Sequence, residues 1–279
     1  MIRTHQKKGG TGGSFLEPRP DGRPRDISRD GLPGDVDSFP EWAARFYELY
    51  GEGYRPSSEA AKARVQQGLP YVLRNLPRKG AKVLDLCCGA GVYLFPLEKA
   101  GYKMTGLDVQ RSMINAARRA AKKTKSKATL VLGDARKPKL PDGSFDAIVF
   151  MGAPFGHFSV DEFGQIAGQS HRILKRRGKF VAEVNDHVAL FLSGAYQRIL
   201  YEPSGTKDVV SIHTRYNSQE GTFNRLFLDL ETNRRFKGSF YIWTPWLLSH
   251  VMKREGFDLK SSEIGAFGWF SRLMTFERS

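Results

Sequence analysis

A chain of 279 residues, 40% of them hydrophobic, can bury one substantial core and suits a single elaborated α/β domain. Its two cysteines exclude a disulfide framework, and as immediate neighbours they rarely bridge, so a reducing compartment, the cytoplasm, is expected. No stretch of signal-peptide length or of about eighteen uncharged apolar residues occurs, and a net charge of +15, from 44 Lys+Arg against 29 Asp+Glu, raises nucleic acid as a partner without establishing one.

Residues 1–38 are rich in Gly, Pro, Arg and Asp, lack a hydrophobic period, and read as a disordered tail. From there Trp42, Phe46, Leu49 and Tyr50 recur at helical spacing, and 58–76 form a second helical stretch. These N-terminal helices occupy 39–80. Over 81–187 the pattern alternates: strand 82–86, helix 91–100, strand 103–107, helix 112–123, strand 129–132, strand 145–152, helix 160–174 and strand 179–184. Such alternation predicts a parallel sheet with helices on both faces. It breaks in 188–240, where a helical piece at 189–200 precedes polar–apolar alternation at 209–216 and 222–230, the mark of an antiparallel insertion. Residues 241–279 supply a helix from Thr244 and Pro245 to Gly256, then a closing strand that completes the core sheet.

The chemistry concentrates at "DLCCGAG", 85–91. A strand running into a Gly-x-Gly turn before a helix brings backbone close to a ligand and aims helix amides at its negative group. Leu94 stands where a dinucleotide-binding turn wants its third glycine, and no Gly-Lys-Ser/Thr follows, so dinucleotides and nucleoside triphosphates both recede. Two adjacent thiols without Cys or His partners at ligand spacing make no zinc site, and they read as small packing residues. Asp85, Asp108 and Asp134 end or follow three successive strands, hence share one edge of the sheet. Each alone is an ordinary cap or turn residue; together they outline a nucleoside site, Asp108 accepting ribose hydroxyls and Asp134 the adenine amine beside the Ala135 amide.

The ordered stretches "VLDLCCGAG", "MTGLDVQRSMINAARRAA", "LVLGDARK", "FDAIVFMGAPFGHF" and "ILKRRGKFVAEV" resemble the successive motifs of class I S-adenosylmethionine-dependent methyltransferases, over roughly 81–184. The resemblance implies a Rossmann-like, seven-stranded mixed sheet with an antiparallel β insertion after the fifth strand, and S-adenosylmethionine as cofactor. It implies a cofactor site of Asp85, Cys87, Gly89, Gly91, Asp108, Val109, Asp134, Ala135 and Met151, with Tyr47 closing over it from an N-terminal helix. Cys87 stands where the family commonly has glycine.

The acceptor side is less marked. His157 is the candidate base, since a histidine titrates near neutrality, and Glu183, Asn185 and Asp186, with His187, follow the fifth strand where the family often contacts substrate. "GAPF" at 152–155 lacks the leading polar residue of exocyclic-amine base methyltransferases, and both cysteines lie in the cofactor turn rather than where carbon-5 pyrimidine methylation needs one. The favoured reading is methyl transfer to a nitrogen or oxygen of a small-molecule acceptor beneath the insertion. The alternative is an RNA, especially tRNA, methyltransferase using basic segments such as Arg118, Arg119, Lys122 and Lys123.

Overall fold

The structure, a computed structural model, describes residues 39–51, 53–152, 154–202, 207–265 and 268–279. The tail expected at 1–38 lies outside the described residues. Helices α1 (Phe39–Tyr50) and α2 (Glu59–Asn75) come first. The core then runs β1 (Lys82–Leu86), α3 (Leu94–Lys99), β2 (Lys103–Asp108), α4 (Arg111–Thr124), β3 (Thr129–Leu132), β4 (Phe145–Phe150), α5 (Val160–Ile173) and β5 (Leu174–Asn185). After it come α6 (His187–Leu192), β6 (Ile199–Tyr201), β7 (Val209–Asn217), β8 (Thr222–Asp229), β9 (Arg234–Tyr241), α7 (Pro245–Arg254), β10 (Phe257–Ile264) and β11 (Ser271–Arg278).

Seven strands form the main sheet in the order β10-β11-β5-β4-β1-β2-β3, and β6-β7-β8-β9 form a second, antiparallel sheet. As the sequence led us to expect, β1 to β5 are parallel and the insertion after β5 is antiparallel; β11 runs antiparallel to both β5 and β10. Because β1 pairs with β2 on one side and β4 on the other, the chain reverses its winding direction there, and a crevice opens past the carboxyl ends of these strands.

Side-chain alternation sorts the sheet into two faces. Leu84, Leu86, Ile148, Phe150, Phe180 and Ala182 pack against α5 and α7, whereas Val83, Ala147, Val149 and Val181 pack with residues of α2 and α3. A third core joins Trp42, Ala43, Phe46 and Leu49 of α1 to Phe223, Phe227, Phe236 and Phe240 of the second sheet. Gly238 permits that contact: a Cβ there would stand 3.0 Å from the Trp42 ring.

Local chemistry sets the boundaries. Ser159 and Glu162 form a reciprocal capping box at the start of α5, and Thr244 caps α7 with Pro245 in its first turn. The helix read from residue 91 begins only at Leu94, because Gly89 and Gly91 adopt positive φ and the chain turns through 93 first. The helix read over 189–200 stops at Leu192, and 199–201 pair as a strand with β7 instead. Strand β5 starts at Leu174 rather than 179, its early part bulged at Arg177, which also has positive φ.

Candidate functional site

The glycine turn hangs from the end of β1 and is fastened to β2. Cys88 N–H donates to the Leu107 carbonyl at 3.0 Å, and Gly89 N–H donates to Asp108 Oδ2 at 2.8 Å. The Gln110 N–H takes the other Asp108 oxygen at 2.8 Å, so this carboxylate holds the mouth of the turn while facing the crevice. Gly89 has φ +54° and nothing within 4 Å of where a Cβ would stand, leaving its backbone bare toward the opening. Cys88 packs inward, its Sγ at 2.8 Å from the place of a Gly106 Cβ. Cys87 lines the crevice in a left-handed conformation at φ 59°, which disfavours side chains other than glycine.

Two adjoining cavities share Tyr47, Cys87, Asp108, Pro154 and His157. The smaller, about 70 Å³, is walled by Leu107, Val109, Gly133, Asp134, Ala135 and Phe158. The larger, about 270 Å³, runs from Asp85, Gly89 and Met151 to Asn185 and His187 at the end of β5, and on to Phe223, Arg225 and Phe240 of the second sheet. The structure therefore brings together nearly all the residues read as cofactor contacts. It leaves Gly91 outside both cavities, where a Cβ would strike the Phe95 ring at 2.5 Å; that glycine serves the turn.

Electrostatically the turn end is acidic. Asp85 is buried, its Oδ2 without a hydrogen-bond partner among the described residues, and desolvation together with the Asp108 charge pushes its pKa up to about 8. Burial raises Asp108 as well, against hydrogen bonds that favour its charged form. Both cysteine thiols are pushed well up, by burial first and the neighbouring carboxylates second, so they remain protonated. Asp134 behaves oppositely: although burial opposes it, hydrogen bonds and charge from Arg136 hold its carboxyl below the ordinary range. Arg136 grips both Asp134 oxygens and also reaches Glu162 at 2.5 Å.

His157 sits where the cavities meet. Its Nε2 lies 3.2 Å from the Tyr47 hydroxyl, its ring stacks on Trp42 with centroids 5.4 Å apart, and burial lowers its pKa to about 4. The ring is neutral near pH 7, but so weak a base suits positioning Tyr47 better than taking a proton. Of the residues after the fifth strand read as substrate contacts, Asn185 and His187 reach the cavity, Asn185 with Oδ1 unpartnered among the described residues. Glu183 is fully buried and accepts from the Ser271 hydroxyl at 2.9 Å, Ser271 being on the neighbouring strand β11. Asp186 caps α6 through the Ala189 N–H at 3.0 Å.

Beyond Asn185 and His187, sequence reading missed Arg64 and the wall supplied by the insertion. His187 lines the cavity with Nδ1 at 3.3 Å from the Trp243 carbonyl, and burial lowers its pKa. Arg64 enters from α2, 5.1 Å from the centre of the Tyr54 ring. Phe223, Arg225 and Phe240 come from the insertion, where period-2 alternation revealed strands but not which face they turn to the crevice.

Residues 83–178 match the family described as methyltransferase domain. A ubiquinone biosynthesis O-methyltransferase from Vibrio parahaemolyticus is 31% identical over 121 residues, 43% of this chain and 49% of the relative. A demethylmenaquinone methyltransferase from Listeria welshimeri is 31% identical over 106 residues, 37% of this chain and 44% of the relative. In these alignments the chain spans about half the length of the curated relatives it matches. Among solved structures, the PH0226 protein from Pyrococcus horikoshii superimposes with a TM-score of 0.70 at 26% identity, covering 84% of this chain and 99% of that one.

Proposed function

We propose that this chain, which belongs to the class I, Rossmann-like S-adenosylmethionine-dependent methyltransferases, transfers the methyl group to an oxygen or nitrogen of a small-molecule acceptor. The observation that carries the reading is the continuity of the larger cavity: one end is the acidic glycine turn, the other an aromatic wall from the inserted sheet.

The residues fit the donor. Asp85 offers an unpartnered buried carboxylate oxygen to an ammonium, and the bare Gly89 backbone leaves room for the chain that carries it. Arg64, on the other side of that end, suits the donor's carboxylate. Asp108 has lone pairs left for ribose hydroxyls, while Val109, Asp134 and Ala135 wall the smaller cavity for the adenine. Bound S-adenosylmethionine supplies a methyl group already activated on a sulfonium.

The protein's remaining work is to align and desolvate the acceptor and to take its proton. His187 is the candidate for the proton. Burial keeps it neutral, and its Nδ1 faces both the carbonyl and the N–H of Trp243, at 3.3 and 3.4 Å; where Nδ1–H donates to that carbonyl, Nε2 is the ring's acceptor. Asn185, the last residue of β5, would orient the accepting group.

RNA is the weaker reading. Arg118, Arg119, Lys122 and Lys123 are exposed along α4, whereas the cavity is enclosed by aromatic rings. Calorimetry with S-adenosylmethionine on wild type, Asp85→Asn and Asp108→Ala tests the donor site, and a screen with labelled cofactor over metabolite, RNA and protein fractions tests the acceptor. Absence of cofactor binding, or equal binding after Asp108→Ala, would sink the assignment; label in RNA alone would overturn the small-molecule acceptor.

A further inference from the structure

Arg225 is an expensive residue to place where it stands. It projects from the middle of β8 into an aromatic face, its side chain 14% exposed, with Cζ 4.9 Å from the Phe227 ring centre and 5.8 Å from that of Phe240. Guanidinium carries five N–H bonds. Nη2 donates to Glu202 Oε2 at 2.5 Å and to the Ser211 hydroxyl, while Nη1 and Nε donate to nothing among the described residues. Glu202 offsets the charge, and its Oε2 is shared with the hydroxyls of Tyr50 at 3.1 Å and Ser211 at 2.5 Å, so that one oxygen serves several donors. A guanidinium held this way, under-supplied with acceptors and bordering a cavity, leaves donors to be satisfied by whatever enters.

The surroundings describe the guest. Phe223 and Phe240 are register partners on β8 and β9, their rings stacked with centroids 5.7 Å apart and 23° between planes. His187 lies 5.6 Å from Phe223, so the wall beside Arg225 is made of flat rings. Both neighbouring histidines are held neutral: burial, then the Arg225 charge, lowers His213 to about 3, and burial chiefly lowers His187. Of the charged side chains lining this cavity, Arg64, Asp85 and Asp108 belong to the glycine-turn end and Arg225 to the far end, where Glu202 pairs with it at 2.5 Å.

We propose that the acceptor is a planar ring compound bearing a carboxylate, the ring lying against Phe223 and Phe240 and the carboxylate bound by Arg225. This rests on the methyltransferase reading and names the substrate class of the same cavity. Arg225 is then a specificity-determining residue, while Asn185 and His187 meet the group to be methylated.

The test uses wild type saturated with S-adenosylhomocysteine, so that binding is read without turnover. Calorimetry compares 4-hydroxybenzoate, 3,4-dihydroxybenzoate and 1-hydroxy-2-naphthoate with the corresponding carboxamides, which match them in shape but carry no charge. At least one carboxylate should bind tenfold or more tighter than its amide, Arg225→Gln should abolish that preference, and Arg225→Lys should keep part of it. Thermal melts and unchanged S-adenosylhomocysteine affinity identify variants that fold. The wild-type comparison stands even where a variant does not fold. Equal binding of acid and amide, no binding of any carboxylate, or a preference that survives in folded Arg225→Gln overturns the proposal. Normal S-adenosylhomocysteine binding alongside such a failure leaves the methyltransferase reading standing, whereas its absence in wild type brings both down.

Discussion

Asp85 makes a quantitative prediction, because its carboxyl is protonated in the free protein and must be ionised to pair with an ammonium. With a free-state pKa of about 8, burial being the main cause, roughly nine-tenths of molecules carry the proton at pH 7. Binding S-adenosylmethionine should therefore release about 0.9 proton at pH 7, and affinity should rise about ninefold from pH 6 to pH 7. The sign follows from the linkage: the complex binds fewer protons than the free protein, so higher pH favours it. His157 and His213 lie at about 4 and about 3, and a donor α-amino group keeps its charge over most of this range. Calorimetry in buffers of differing ionisation enthalpy reads the proton count directly. Asp85→Asn should bind at least tenfold more weakly at pH 7, with no proton release and a flat pH dependence. Zero proton release by wild type, or the same slope in Asp85→Asn, would refute the pairing of Asp85 with the ammonium.

The same carboxyl shapes the stability of the free protein. Its native pKa is raised above the unfolded value of 3.8, so the native state binds more protons and stability falls as pH climbs from about 4 through about 8. Without ligand, Asp85→Asn should then be more stable at pH 7 by on the order of 4 kcal/mol, a gain that closes toward pH 4 in urea titrations. Cys87→Gly should relieve the left-handed backbone, worth about 1–2 kcal/mol less glycine's entropy of about 0.5–1, and raise the melting temperature by about 2–4 °C. Cys87→Ala keeps the strain and should melt like wild type. With the acceptor found by the labelled screen, His187→Gln should lower kcat about a hundredfold or more with unchanged cofactor affinity. His157→Phe, which keeps the ring on Trp42, should stay within about tenfold of wild type, since a hydrogen bond near 1 kcal/mol is what it loses. Neutralising Arg118, Arg119, Lys122 and Lys123 together should leave small-molecule transfer intact; a steeply salt-dependent RNA affinity that vanishes with these charges would favour the RNA reading instead.

What could be read from residues alone was whatever local spacing encodes. The alternation of strands and helices gave the parallel sheet, and the acids at 85, 108 and 134 lay within one or two residues of strand ends that share an edge. Their partners depend on neighbours distant in sequence. That Glu183 is engaged by Ser271 while Asn185, on the same face at the end of β5, reaches the cavity depends on the pairing of β5 with β11 across some ninety residues. Strand β10 left little trace because, at the sheet's edge, it buries chiefly Phe257 and alternates charged residues toward solvent. No local spacing marks Arg225, whose place beside Phe240 is set by the pairing of β8 with β9.

The division of the cavity follows the division of the sequence. The stretch that matches the methyltransferase domain, 83–178, contributes Asp85, Gly89, Asp108 and Met151 to the donor end. The acceptor wall comes from residues beyond it: Asn185 and His187, then Phe223, Arg225 and Phe240. Helix α1 bridges the halves. Its Tyr47 touches both cavities, its Trp42 seats His157, and its Phe46 packs on Phe227 and Phe240 with centroids 5.6 and 5.9 Å away. On the proposed reading, donor contacts and acceptor contacts fall to separable parts of one core. A relative that shares only the donor stretch carries little information about the acceptor, and the charge and flatness of the far wall are the better guide to it. Closing the acceptor end through α1 and the second sheet, both stabilised by the same aromatic core, also means that loosening one should loosen the other. Substituting Gly238, over which Trp42 lies, is the direct way to disturb the acceptor end while leaving the glycine turn and its acids untouched.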